Sequence, residues 1–443
     1  MRIMIISPLF DDLSRIGSIR PRAFATWLAR AGHDVTVITQ SLEGQQGAAD
    51  PPGVSVIRIM RPEAMRLPFK AAKHFYDRTK SAREQIGGTQ NGSSPVRKPF
   101  GDTALRIFST VSRAFRALDD RAWVARAAHE VELLPPPDAI FSTYGPLASH
   151  WLAMRLAKGW SSASWVADFR DLVTAETPTF LSASLERLQT EFVVHASVVT
   201  AISKGLCSDL RSMLPPSDRG KVNLLPNGFD PRDTFMPATI QDSGKVLRIA
   251  YTGNLYMGRR DASPMFRALG ELLANGHMEA ECIEVHYAGM DSELFLLQAR
   301  AFGVEHIVVD HGFVSRDAAL ALQAMSDVLL VLSWNTISER GILTGKVFEY
   351  LGADKPILAL TGGDLPGSEL TELINDLDAG FAFEEATHSR SESGLRTFLL
   401  KAYEQRSRGE MLWSSSSDRI RDYTYEVLSR RLESLLLSVQ PRL

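Results

Sequence analysis

Two charged residues three positions apart, Lys346 and Glu349, have the type and spacing of an anion- and diol-binding pair in this 443-residue chain. They lie in Gly345–Leu351, which follows an apolar run and a loop and therefore predicts the start of a helix. Residues three apart share one helical face, and the free N–H groups of a first turn favour an anion. Lys346 therefore suits a diphosphate, and Glu349 suits hydrogen bonds from a ribose diol. The alternative is a solvent-exposed ion pair worth about 0.2–0.5 kcal/mol, which the spacing does not exclude.

A glycine-containing segment, Tyr251–Asp261, is the second candidate for chemistry. It runs from the end of a predicted strand into a predicted helix. Gly253 permits close approach to the backbone, and Arg259 and Arg260 could neutralise phosphate groups. The alternative is a turn with two solvent-exposed arginines, because glycine-rich turns with exposed charge are common.

Alternating strands and helices must position these two segments. The chain opens with a strand, Ile3–Ser7, a loop that contains Gly17, a helix over Arg20–Ala31, and a β-branched strand, Val35–Thr39. A second alternation begins after Pro237. The pattern predicts an α/β protein of two Rossmann-like domains that face each other across a cleft, with ligands at the carboxyl ends of the strands.

The turn-rich segment Pro226–Pro231 indicates where the two predicted domains meet. It places the boundary between about Asp230 and Lys245. We therefore expect a first domain over residues 1–235 and a second over residues 236–417. The last predicted helix, Asp418–Leu437, lies in residues 418–443, which we expect to return to the first domain.

Residues 65–100 interrupt the first alternation. Ile86–Pro99 has loop composition, which predicts a mobile segment. The stretch before it, Met65–Arg83, interleaves cationic with apolar residues, a pattern that suits an anionic membrane surface. The alternative is a helix that packs its aromatic side chains on its own domain. The residues concerned are Arg66, Lys70, Lys73, Arg78, Lys80 and Arg83, with Leu67, Phe69, Phe75 and Tyr76.

Composition excludes several classes of protein. A net charge of −3 disfavours a nucleic-acid partner, and two distant cysteines, Cys207 and Cys282, disfavour a disulfide framework or a zinc site. The short apolar run at the N-terminus is interrupted by Pro8 and Asp11, which argues against a signal peptide. No apolar stretch approaches the roughly 20 residues that a spanning helix needs. We therefore expect a cytoplasmic protein.

The order and spacing of these segments resemble glycosyltransferase family 4, which has the GT-B fold, over nearly the whole chain. Gly32–Val37 resembles part of the first βαβ unit of that family, Ala201–Ser203 a strand end, and Pro226–Asp230 its "PNG.D" segment. The Gly253 segment resembles its "G.l…K" loop. Lys346–Leu351 resembles its "K.fEYL" variant.

The resemblance implies a metal-independent hexosyltransferase that retains anomeric configuration and needs no cofactor besides its nucleotide-diphosphate sugar. The first domain would then hold a glycan, lipid-linked or small-molecule acceptor, and the second the donor. Members that build bacterial surface glycans often use lipid-linked acceptors, which agrees with peripheral attachment to the inner membrane face. Two other functions stay open, a sugar-nucleotide epimerase of the same fold and a non-catalytic nucleotide- or glycan-binding protein.

The resemblance also implies roles for single residues. Glu349 would bind the donor ribose, and the diphosphate would lie against Lys346 and one of the two arginines. Gly17 would let the first loop approach the donor. Phe313 and Val314, with Gly312 before them, would hold the nucleobase largely through backbone; the alternative for Phe313 is core packing.

Two positions depart from the family pattern. The family commonly has two glutamates spaced E-x7-E, but Gly341 occupies the first of these positions. We take Glu339, two residues earlier, as the candidate to contact the transferred sugar. Asn254 stands where many members carry an arginine, which gives Arg259 and Arg260 more of the phosphate contact.

A strand end in the first half supplies an acceptor-side candidate. Asp168–Asp171 reads DFRD, a segment seen in members that build bacterial surface glycans. A carboxylate at a strand end could orient an acceptor hydroxyl, and Asp171 is our choice. The alternative is an internal ion pair with Arg170 that fixes the loop.

Overall fold

The computed structural model describes residues 1–12, 16–41, 47–61, 117–173, 179–231, 244–410, 412 and 418–439. The basic segment at 65–83 and the predicted mobile segment after it lie outside these residues. The chain divides into two compact units. The first comprises Met1–Val199, Met213–Lys221 and Leu435–Leu443, and the second Thr200–Ser212 and Val222–Ser434. The predicted division at residues 235 and 418 stays a prediction.

The N-terminal half folds into a seven-stranded sheet of order β3-β2-β1-β4-β5-β6-β7. The pairs from β3 to β5 are parallel. The strands are β1 (Arg2–Ile6), β2 (Asp34–Ser41), β3 (Val54–Met60), β4 (Ala139–Thr143), β5 (Ser164–Phe169), β6 (Val198–Ala201) and β7 (Val222–Leu224). The helices are α1 (Ile16–Arg30), α2 (residues 117–131), α3 (Ala148–Gly159), α4 (Thr179–His195) and α5 (Lys204–Ser212).

The C-terminal half folds into a six-stranded, all-parallel sheet of order β10-β9-β8-β11-β12-β13. The strands are β8 (Leu247–Thr252), β9 (Ile283–Ala288), β10 (Val308–Asp310), β11 (Val328–Trp334), β12 (Ile357–Gly362) and β13 (Gly380–Glu384). The helices are α6 (Ser263–Ala274), α7 (Ser292–Arg300), α8 (Arg316–Met325), α9 (Gly345–Gly352), α10 (Glu369–Asp376), α11 (His388–Ser407) and α12 (Tyr425–Ser438).

Both faces of the second sheet are covered, as its nearly continuous apolar strands require. Leu330 of β11 packs in one core cluster with α6, α7 and α11, and Val331 packs in another with α8, α9 and α10. The strand order reverses between β8 and β11, and ligands of doubly wound sheets bind at the carboxyl ends of the strands beside such a reversal. The loops after β8 and β11 are the two segments that carry the sequence candidates.

Two predicted helix starts were wrong. Helix α1 begins at Ile16, so Gly17 lies in its first turn and not in a loop. This turn is anchored by Arg20, which forms a buried ion pair with Asp168, and such tertiary contacts override weak local propensity. Helix α12 begins at Tyr425, because residues 418–423 form a 3₁₀ helix.

Within the described part of the chain, no helix has the length and apolar character to cross a bilayer.

Candidate active site

Helix α9 presents two charged side chains beside the reversal point of the second sheet. Its N-cap is Thr344, whose hydroxyl accepts a hydrogen bond from the Lys346 N–H at 3.2 Å. The apolar side chains of the helix are buried, which leaves Lys346 and Glu349 on its other face. The prediction that a helix starts here is confirmed. The buried set is Val347, Phe348, Tyr350 and Leu351.

The carboxylate of Glu349 is held by two donors from α8. Arg316 Nη1 donates to its Oε2 at 3.0 Å, and Gln323 Nε2 donates to its Oε1 at 2.8 Å. Lys346 Nζ lies 3.9 Å from Oε1. The Glu349 side chain is only 14% exposed, so the alternative of a solvent-exposed pair with Lys346 is wrong.

Lys346 is a largely buried cation, with 18% of its side chain exposed. Burial lowers the pKa of its ammonium group, the charges of Arg316 and Arg260 lower it further, and Glu349 opposes the shift. Its Nζ donates to Thr252 Oγ1 at 3.4 Å. A nearby anion would favour its protonated form and offset the cost of burial.

Gly253 gives Lys346 the space that it occupies. A Cβ atom at position 253 would lie 3.1 Å from the Lys346 Cε and 3.2 Å from the Tyr251 hydroxyl. The Gly253 N–H donates to the carbonyl of Ala288 at 2.9 Å, so the backbone here is fixed by β9. The glycine therefore allows lysine and backbone to approach each other closely.

Arg260 is a second buried cation at the same place, with 9% of its surface exposed. Its Nη1 donates to the carbonyl of Asn254 at 3.3 Å, and its guanidinium lies 4.3 Å from the ring centroid of Tyr256. Its Nε is buried and has no hydrogen-bond partner among the residues that the structure describes. Buried donors are nearly always satisfied, so this one points to a missing acceptor.

Arg259 and Glu339 pair with each other. The arginine donates two hydrogen bonds to the carboxylate, one of them at 3.2 Å. Its guanidinium lies 4.2 Å from the centroid of the Trp334 ring, and Trp334 Nε1 donates to Glu339 Oε2 at 2.7 Å. The arginine lowers the pKa of the Glu339 carboxyl group. The structure thus joins two sequence candidates that were assigned to different ligand groups.

The segment after β10 has an exposed aromatic ring. Gly312 has a φ of +60° and accepts a hydrogen bond from the Gly289 N–H at 2.9 Å. Phe313 is 78% exposed, so the alternative of core packing is wrong for this residue. Val314 packs against the core on the α8–α10 side of the sheet.

The first half contains a buried carboxylate, Asp168, three residues before the candidate Asp171. Asp168 accepts hydrogen bonds from Arg20 at 2.8 and 3.0 Å and from Thr143 at 2.8 Å. Arg170 helps to fix the loop, because its guanidinium donates twice to the carbonyl of Tyr144, at 2.7 and 2.9 Å.

Asp171 and Gly17 have different surroundings. Asp171 is exposed, and its charge adds to burial in raising the pKa of the Tyr144 phenol. Gly17 makes room for Arg170, since a Cβ atom at position 17 would lie 2.9 Å from Arg170 Nη1. No described contact tests whether either residue meets a ligand.

Sequence reasoning missed Arg316, Gln323 and Thr252, which connect the candidates of the second half. Gln323 Nε2 donates to Thr252 Oγ1 at 2.9 Å as well as to Glu349. Little in the sequence indicated that these residues contact the site. Gln323 is a polar residue on an apolar helix, seven positions after Arg316 and therefore on nearly the same face.

No group of three or more histidine, cysteine, aspartate and glutamate side chains that could hold a metal ion occurs among the described residues.

One known protein family matches part of the chain. Residues 18–228 match the family described as "Glycosyl transferase 4-like domain". Residues 18–228 are thus similar to a glycosyltransferase 4-like domain. The match confirms the resemblance drawn from the sequence motifs, and the matched range includes Arg20, Asp168 and Asp171. No curated protein sequence matches the chain.

Solved structures resemble the chain over nearly its full length. Sucrose-phosphate synthase from Thermosynechococcus elongatus is 13% identical with a TM-score of 0.64, and 98% of each chain is covered. Anabaena HepE in complex with UDP is 13% identical with a TM-score of 0.57, covering 99% of this chain and 100% of the other. A trehalose-6-phosphate synthase studied for glycosyl transfer with retention is 15% identical with a TM-score of 0.56 and complete coverage of both chains. These similarities confirm the predicted α/β fold.

Proposed function

We propose that the protein is a glycosyltransferase that moves a sugar from a nucleotide-diphosphate donor to a glycan, lipid-linked or small-molecule acceptor, with retention and without a metal. The match of residues 18–228 to a glycosyltransferase 4-like domain supports the reaction class. A structural neighbour in complex with UDP supports a nucleotide donor. Another neighbour, studied for transfer with retention, supports that stereochemical outcome.

The observation that carries the donor proposal is the pair of buried cations, Lys346 and Arg260, at the reversal point of the second sheet. Burying a cation is costly unless an anion compensates it. The carboxylate of Glu349, 3.9 Å from Lys346 Nζ, already accepts from Arg316 and Gln323. A diphosphate supplies the negative charge and the acceptor that Arg260 Nε lacks.

The proposed chemistry follows from this charge arrangement. The bond between the sugar anomeric carbon and the diphosphate oxygen breaks, and the acceptor oxygen bonds to the same carbon. The acceptor proton passes to the leaving diphosphate, so no strong protein base is required. Lys346, Arg260 and Arg259 stabilise the charge that develops on the diphosphate, and Glu339 contacts the transferred sugar.

The remaining donor contacts belong to the same proposal. Glu349 accepts hydrogen bonds from the ribose, and Gly253 permits close approach of the diphosphate. Phe313 and Val314 lie at the nucleobase, and Gly17 lies near the donor. On the acceptor side, the exposed carboxylate of Asp171 orients the attacking hydroxyl.

The location of the enzyme is a further part of the proposal. We place it in the cytoplasm because the chain has only two cysteines, and both are free thiols. We also propose that Met65–Arg83 binds the protein to the inner membrane face. This proposal rests only on the cationic and aromatic residues in the sequence of that segment.

A donor screen tests this function directly. UDP-, GDP-, dTDP- and ADP-sugars are compared by thermal shift, and the donor that stabilises the protein is then used to measure turnover with and without acceptors. Rearrangement of the donor without any acceptor would indicate an epimerase, and binding without turnover a non-catalytic protein. Unchanged transfer in the presence of a chelator is expected if no metal takes part.

Variants of the cation site give the quantitative test. We expect Lys346→Ala and Glu349→Ala each to reduce turnover about tenfold or more, since a hydrogen bond to a charged group contributes about 1.5–3 kcal/mol. Arg300→Ala is the matched control, because Arg300 forms an exposed pair with Glu305 at 2.8 Å. Normal kinetics at saturating and at low donor in both site variants would contradict the proposal.

A further inference from the structure

Helix α8 carries two polar side chains, Arg316 and Gln323, that contact Glu349 and are not among the proposed ligand contacts. Arg316 is the first residue of the helix, and Ser315 caps it by accepting from the Ala318 N–H at 3.3 Å. Gln323 follows two turns later and is completely buried. Both reach the carboxylate of Glu349 on the neighbouring helix α9, and each contacts a different oxygen.

The two donors of α8 occupy only part of the hydrogen-bond acceptor capacity of the Glu349 carboxylate. Each oxygen of an ionised carboxylate can accept about two hydrogen bonds. Arg316 takes one site on Oε2 and Gln323 one on Oε1, so with respect to the residues that the structure describes one site remains on each oxygen. A carboxylate with one open site on each oxygen matches two adjacent hydroxyl groups.

Gln323 is itself fixed by a hydrogen-bond network. Its amide group donates one hydrogen to Glu349 and the other to Thr252 Oγ1, at 2.8 and 2.9 Å. The Thr252 hydroxyl lies 3.0 Å from the Tyr350 hydroxyl, and Thr252 is the last residue of β8. The orientation of Gln323 is therefore set by a strand end and by α9 together.

We infer that Arg316 and Gln323 are positioning residues that fix the Glu349 carboxylate so that its two open acceptor sites face a vicinal diol of the donor. The inference rests on the proposed function, because it takes the donor ribose as that diol. A glutamate side chain loses conformational entropy when it is immobilised. Because the two donors of α8 already immobilise Glu349 in the folded protein, nucleotide binding does not carry this entropy cost.

Nucleotides with and without the diol separate positioning from a general structural role. The probes are the tightest binder among UDP, ADP and GDP and its 2′,3′-dideoxy analogue, titrated by calorimetry. For Arg316→Ala and Gln323→Leu we expect the Kd of the ribonucleotide to rise about tenfold and that of the dideoxy analogue less than about twofold. Arg316→Lys should restore part of the loss.

Glu349→Ala provides the internal reference. If Arg316 and Gln323 act through this carboxylate, combining either substitution with Glu349→Ala should cause no further loss of nucleotide affinity. Melting temperatures identify variants that fail to fold, and Arg316→Lys with Gln323→Met then take their place. Arg300→Ala should change neither Kd.

The outcomes that overturn the inference are distinct. If the α8 variants lose affinity equally for the ribonucleotide and the dideoxy analogue, or lose affinity for neither, α8 does not position the carboxylate for a diol. Equal binding of both nucleotides by the unaltered protein would remove the ribose contact of Glu349. If the unaltered protein binds no nucleoside diphosphate at all, the proposed function itself fails, and this inference with it.

Discussion

Arg259 and Glu339 form a bidentate ion pair on the ring of Trp334, and Arg260, which the proposed function assigns to a diphosphate, lies 5.8 Å from the same ring. Both partners of the pair are about two-fifths exposed. Exposed ion pairs contribute about 0–1 kcal/mol, so the contact is easily exchanged. A diphosphate is a stronger partner for Arg259, and its binding would release Glu339 toward the transferred sugar.

Removing the Glu339 charge is therefore expected to have opposite effects on two steps. Glu339→Gln should tighten binding of a nucleoside diphosphate up to about fivefold, because Arg259 no longer has a competing partner. Sugar transfer should become slower, because the contact with the sugar is lost. Calorimetry measures the first effect and a transfer assay the second.

Two controls decide whether the gain comes from Arg259. Glu305→Gln removes the carboxylate of a similar exposed pair with Arg300 and should leave nucleotide binding unchanged. Combining Glu339→Gln with Arg259→Ala should abolish the gain. An unchanged affinity in Glu339→Gln would show that the pair does not compete with the diphosphate.

The pH dependence of nucleotide binding should report Lys346. Burial lowers its pKa, so as pH rises the free protein loses this charge earlier than an exposed lysine would. A bound diphosphate favours the charged form, and affinity should therefore fall with rising pH through that lowered pKa. The measurement is the Kd of a nucleoside diphosphate above about pH 7.5, where the terminal phosphate, with its pKa near 6, no longer titrates.

Lys346→Arg is the matched variant for this profile, because an arginine keeps its charge over the whole range. Its affinity should vary less with pH than that of the unaltered protein. Identical profiles for the two proteins would assign the pH dependence to another group.

Much of the second half was predictable from the sequence for a simple physical reason. The apolar run of β11 and the polar face of α9 are local patterns, and a parallel sheet brings the strand ends after β8 and β11 to one edge. The assignment of Lys346 and one of the two arginines to a single diphosphate came from the family resemblance and not from these patterns. The partners of Glu349 could not be predicted, because Arg316 and Gln323 reach it from another helix and carry no spacing signal.

The failures of sequence reasoning have the same origin. Core packing was the alternative for Phe313 because the residue is large and apolar, but its exposure is decided by the loop that carries it. The helix start at Ile16 was missed because the contact that anchors α1 joins Arg20 to Asp168, which are 148 residues apart. Long-range ion pairs leave no periodic pattern in a sequence.

The buried pair of Arg20 and Asp168 should be important for stability. Removing one partner of a buried ion pair leaves an uncompensated charge and costs about 3–5 kcal/mol. We expect Asp168→Asn to lower the free energy of unfolding by about that amount in urea denaturation. Glu132→Gln, which breaks an exposed pair with Arg155, should cost no more than about 1 kcal/mol. Equal losses in the two variants would contradict the special role of the buried pair.

Membrane attachment makes a separate prediction for Met65–Arg83. Each basic residue near an anionic surface contributes roughly 1 kcal/mol, so six of them, with aromatic neighbours, should bind the protein to anionic vesicles. We expect it to sediment with vesicles that contain phosphatidylglycerol and not with phosphatidylcholine alone. Lys70→Glu with Lys73→Glu should weaken the partitioning by about 30-fold or more, because two attractive charges become repulsive.

The matched control reverses two exposed lysines elsewhere, Lys158→Glu with Lys245→Glu, and keeps the same net charge as the first double variant. It should sediment with anionic vesicles like the unaltered protein, because a surface charge acts on a membrane only within about a Debye length, roughly 8 Å at physiological salt. Equal sedimentation with both vesicle types, or with neither, would eliminate the membrane role. Equal weakening in both double variants would assign the attraction to net charge and not to this segment.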